Sequence, residues 1–118
     1  MRPLPADRAR AALIRALRPV AGPFAVAAAT SRDWSSATFE GARHRLALTL
    51  EGEDAAARGI RLHDVLPSFE FALDGGFVAD IAVALTGEPG ATVLGIEALT
   101  IREAPDAPRI SGGARRCG

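Results

Sequence analysis

Apolar positions in this chain recur first at helical spacing and then at strand spacing. Over residues 6–18, Ala6, Ala9, Leu13, Ala16 and Leu17 fall on one side of a helix, while Arg8, Arg15 and Arg18 gather opposite. Arg10 sits at the border, where its aliphatic stem can lie on apolar surface. Asp7 suits the first turn of such a helix. Pro19 predicts its end, because a proline disfavours helical geometry in the residue before it.

After Pro23 the period changes to two. Residues 24–31 predict a short apolar strand, followed by a turn over 31–36 that carries Trp34. A longer strand follows over 37–51, with Leu46, Leu48 and Leu50 on one face and Arg45, Ala47, Thr49 and Glu51 on the other. Phe39 has the wrong parity for the leucine face, so a bulge at Gly41 is expected to bring it there. Residues 53–58 predict one or two helical turns stopped by Gly59, and 60–67 a connector. Phe69, Phe71 and Leu73 then alternate with Glu70 and Asp74. Asp74-Gly75-Gly76 is a hairpin signal, and Phe77, Ile81, Val83 and Leu85 form the return strand. A turn over 87–90 leads to a last strand over 92–103.

These elements predict one α+β domain over residues 1–104, in the order α-β-β-(short α)-β-β-β. An N-terminal amphipathic helix packs on a mostly antiparallel meander sheet of about five strands. Residues 105–118 read as a flexible tail rich in Pro, Gly and Arg. A length of 118 residues suits one domain with its own core.

Composition narrows the chemistry. The chain has no Lys, Asn, Gln or Tyr, a bias that reads as codon usage in a bacterial, high-GC genome. Without lysine there is no Schiff base and no phosphate-loop lysine. Without Tyr, Asn or Gln there is no phenolic acid and no side-chain amide for an oxyanion. Cys117 is the only cysteine, so no intrachain disulfide and no multi-cysteine zinc site can form. A free thiol in the tail is expected, with no catalytic role.

The net charge of zero is unevenly spread. Residues 1–18 hold five arginines against one acid, residues 107–118 hold three and no acid, and the stretch between is acidic. An acidic body, with no interleaving of basic and aromatic residues, argues against nucleic-acid binding. No apolar run is long enough to span a membrane. The uncharged run over 19–30 follows an arginine-rich helical pattern, which argues against a secretory leader and for a cytoplasmic protein.

Few residues invite a functional role. His44 and His63 are nineteen apart, with no short His-x-His spacing, so neither a metal site nor a cofactor is expected. His44 shares the parity of Leu46 and reads as a boundary residue at the sheet's end. Asp80 lies in an apolar strand with Val78 and Ala82 as its expected same-face neighbours. Buried there it would have a raised pKa; otherwise it faces solvent or an arginine. Trp34 can anchor a ligand or cap the core. Arg43 and Arg45 share the face opposite the leucines and could touch an anion.

That second face carries small residues: Ala25, Ala27, Ala29, Ala47, Ala82 and Ala84. The last strand is apolar on both faces, with Val93, Leu99 and Ile101 against Leu94, Ile96 and Ala98. Strands apolar on both sides seldom face water. The pattern predicts a non-enzymatic interaction module that forms a homodimer through a sheet face or edge. The alternative is a small-molecule-binding domain or minor enzyme, with a pocket between helix and sheet and Trp34, His44 or Asp80 at its mouth.

Overall fold

The computed structural model describes residues 5–73, 75–88 and 90–103. The expected tail with Cys117 lies outside the described residues, as do Asp74 and Pro89 of the two expected turns. Helix α1 (Pro5–Ala21) is followed by strands β1 (Phe24–Ser35) and β2 (Glu40–Leu50), then helix α2 (Ala55–Val65) and a short 3-10 turn (Leu66–Ser68). Strands β3 (Ala72–Leu73), β4 (Gly76–Glu88) and β5 (Ala91–Arg102) complete the chain. All pairings are antiparallel, and the sheet order is β1-β2-β5-β4-β3. The α+β reading therefore holds. The chain leaves β2 through α2, and β5 returns to lie beside β2.

Both helices cover the same face of the sheet. The alternation read in β2 sends Ala42, His44, Leu46, Leu48 and Leu50 under the helices, all buried, while Arg43 and Arg45 are exposed. Leu94 and Ile96 of β5 meet Leu13 and Leu17 of α1 and Leu62 of α2 in one cluster. Each such side chain contributes about 1.5–3 kcal/mol on burial. Among the described residues, no helix lies on the opposite face.

Several local expectations are corrected. Pro19 lies inside α1, because a proline in the last turn forfeits only one hydrogen bond near the helix end. The stop is Gly22, with φ 77° and its N–H donating to the Arg18 carbonyl. Strand β1 runs on to Ser35, so Trp34 sits in a strand, and the turn falls at 36–39. There the Ser36 N–H donates to the Phe39 carbonyl at 2.8 Å. Gly41 makes no bulge, and Phe39 stays outside the strands, 54% exposed.

Gly59 does not stop α2, and the connector expected over 60–67 is largely helix. A Cβ at Gly59 would come within 2.9 Å of Leu85 and Thr92, so its bareness lets the helix lie close on the sheet. Phe69 and Phe71 precede a β3 of only two residues. Two bulges do occur, at Val26/Ala28 and Val78/Asp80. The first turns Ala29 to the helix side; the second places Val78 there and Asp80 on the open side.

Candidate functional site

The register assigns the open face row by row. Across β1-β2-β5-β4, one row reads Arg32, Arg43, Leu99, Asp80, and the next reads Thr30, Arg45, Glu97, Ala82. The third row reads Ala28, Ala47, Gly95, Ala84. At one end lies the row Trp34, Gly41, Ile101, Phe77. Four of the five residues singled out in the sequence, Trp34, Arg43, Arg45 and Asp80, thus share one surface.

Its charges are unevenly placed. Arg45 pairs with Glu97 at 3.4 Å, with both side chains mostly exposed. Arg32 and Arg43 lie side by side and, like Asp80 at the far end of their row, form no salt bridge among the described residues. Adjacent like charges on neighbouring strands repel. The three arginines and Glu97 line a shallow concavity of about 360 Å³. Arg32 and Glu97 were not singled out in the sequence, because only strand register shows them to be neighbours of Arg43 and Arg45.

His44 stands apart, on the other side of the sheet. It is 3% exposed, not a boundary residue, because α1 covers that stretch of β2. The Thr100 hydroxyl donates to the Ala42 carbonyl over a long 3.4 Å. Its oxygen then accepts from His44 Nε2–H at 2.9 Å, which leaves Nδ1 to accept the Ser31 hydroxyl at 2.7 Å. Both ring nitrogens are thereby satisfied without charge. Burial, with the Arg10 charge adding to it, lowers the His44 pKa to about 4. Such an imidazole is a weak base, and a threonine rather than a carboxylate supports it, so it does little to activate Ser31. The cluster ties three strands together.

A second concavity lies under the N-terminal half of α1. It measures about 650 Å³ and is lined by Ala9, Ala12, Gly41, Ala42 and Gly76 and by the charged Asp7, Arg8, Arg15, Arg102 and Glu103. Small residues on both helix and sheet leave this space. Asp80 and Trp34 lie on the opposite face and do not border it. Among the described residues, no three His, Cys, Asp or Glu side chains gather as metal ligands, and no helix is long and apolar enough to cross a membrane.

Set against protein-family models, curated proteins and solved structures, the chain matches none of them.

Proposed function

We propose that this protein is a non-enzymatic interaction module that associates with itself through the open face of its sheet. The observation that carries the reading is the one-sided placement of α1 and α2. Among the described residues, it leaves one face of the four long strands without a helix on it, with a central row of Ala28, Ala47, Gly95 and Ala84. An antiparallel sheet that faces water normally carries polar side chains there. Here the small side chains of that row allow another sheet to approach closely along it, beside the charged rows of Arg43 and Arg45. The molecular mass of the full chain in solution, by native mass spectrometry and light scattering, tests the reading. A dimer supports it, and a monomer at all concentrations overturns it.

A second reading rests on the 650 Å³ concavity under α1, which has the size of a small-ligand pocket. Its alanines and glycines suit an apolar ligand body, and Arg8, Arg15 and Arg102, against Asp7 and Glu103, leave the lining one positive charge in excess for an anionic end. A reproducible small adduct on a monomer in the same spectrum favours this reading over the first.

A further inference from the structure

We infer that the partner on the open face is a second copy of this chain, related by a two-fold axis that runs parallel to the strands between β2 and β5. This rests on the self-association reading and adds to it a geometry.

A two-fold in that direction keeps each row at its own level and reverses its order, so that β1 lies over the partner's β4 and β2 over the partner's β5. Applied to the row Arg32, Arg43, Leu99, Asp80, it sets Arg32 over the partner's Asp80 and Arg43 over the partner's Leu99. Arg32 and Asp80, which form no salt bridge among the described residues, thus meet across the interface, while Arg43, which also forms none there, meets an apolar side chain. Applied to the next row, it sets Arg45 over the partner's Glu97 and Glu97 over the partner's Arg45. Two exposed ion pairs become a ring of four alternating charges on the axis, each with two opposite neighbours. The third row then sets Ala28 over the partner's Ala84 and Ala47 over the partner's Gly95, where nothing protrudes. At the end of the face, Trp34 lies over the partner's Phe77, which is 41% exposed in the single chain.

A two-fold running across the strands fails the same test. It sets β2 over the partner's β2, so that Arg43 and Arg45 meet arginine or alanine and no acid. Like charges facing each other at an interface select against that arrangement. The strand-parallel axis also agrees with the aligned packing of two twisted sheets, which cross at about 30°. Four strands at about 4.8 Å spacing, and ten residues at about 3.3 Å rise, give a face of roughly 600 Å² in plan. That is comparable with the ~800 Å² per partner of a standard interface.

Charge exchange, read by sedimentation of the full chain over a range of concentrations, tests the geometry. Arg32→Asp and Asp80→Arg should each weaken the dimer about ten-fold or more, and the double variant should recover most of that loss. Gly95→Arg is the control for the face as a whole, since a Cβ at Gly95 meets only ordinary contacts 3.6 Å away and the monomer can accept it. Circular dichroism checks that each variant is folded. A wild-type monomer, or a dimer indifferent to Gly95→Arg, overturns the self-association reading and the geometry with it. A dimer broken by Gly95→Arg but not restored in the double exchange overturns the two-fold alone.

Discussion

Nε2 of His44 donates to the hydroxyl oxygen of Thr100 at 2.9 Å, across adjacent strands and 56 residues of sequence. With Nδ1 occupied by the Ser31 hydroxyl, the neutral imidazole has its full complement of partners. A proton would have to be added to a ring that is nearly out of reach of water and near the Arg10 charge.

That arrangement makes folding pH-dependent. The His44 pKa is about 4 in the folded chain, against an ordinary value of 6.5. Between those limits the unfolded chain binds one proton more than the folded chain. The His44 contribution is therefore complete above pH 6.5 and is lost as pH falls toward 4. At most it amounts to about 3 kcal/mol. Urea unfolding of the wild type and of His44→Gln at pH 7, 5.5 and 4.5 isolates it from carboxylate titration. The wild type should lose more stability than the variant between pH 7 and 4.5; equal losses would show that His44 takes up its proton alike in the folded and unfolded chain.

Gly41 and Gly87 both lie in strands, yet they should respond oppositely to substitution. A Cβ on Gly41 would stand 1.9 Å from the Thr100 carbonyl oxygen, an overlap with backbone that no rotamer relieves. Gly41→Ala should cost about 3 kcal/mol or more. At Gly87 a Cβ meets nothing within 4 Å. Gly87→Ala should be neutral, or stabilising by about 0.5 kcal/mol, through the lower entropy of the unfolded chain. Chemical denaturation of both variants reads the difference directly.

The same two features mark how far the sequence could be read. Leu46, Leu48 and Leu50 announce their strand and their face, because a period of two is a local pattern. Gly41 and Gly59 do not announce why they are glycines. One lets a neighbouring backbone pass and the other lets a helix settle on the sheet, and both causes are residues far away in sequence. The bulges at Val26/Ala28 and Val78/Asp80 are likewise set by pairing between strands, so the faces of Ala29 and Asp80 depend on a register the chain does not display. Trp34, Arg43, Arg45 and Asp80 could be named as candidates one at a time. That Arg43 and Arg45 face away from His44 follows from parity, but that they share a surface with Trp34, Arg32, Glu97 and Asp80 follows only from the pairing of β1 with β2 and the return of β5 between β2 and β4.

If the open face is closed by a second copy, thermal stability must depend on protein concentration. Dissociation and unfolding are then linked, and mass action favours the dimer as the chain is concentrated. The midpoint of thermal unfolding should rise over a hundred-fold increase in concentration for the wild type and stay fixed for Gly95→Arg. A midpoint independent of concentration in both would count against a stabilising dimer.

Arg58 joins the ends of three elements. Nη1 donates to the Ala21 carbonyl at 2.6 Å, Nη2 to the Glu51 carbonyl, and Nε to Asp54 Oδ1 at 3.1 Å. The last turn of α1, the exit of β2 and the start of α2 are thereby held by one planar fork, which is 8% exposed. The hydrogen bond from Arg58 holds the Asp54 carboxyl below the ordinary range, but Asp54 itself is open to water. The two carbonyls, not the ion pair, should therefore dominate the energetics, because burying an unpaired carbonyl costs about 1–3 kcal/mol while an exposed ion pair contributes under about 1 kcal/mol. Arg58→Met keeps the stem and loses the fork, and should cost about 2–4 kcal/mol. Arg58→Lys should recover little of that, since one ammonium cannot reproduce the planar fork. Asp54→Ala should cost far less than Arg58→Met. Equal losses for Arg58→Met and Asp54→Ala in urea unfolding would return the role to the ion pair.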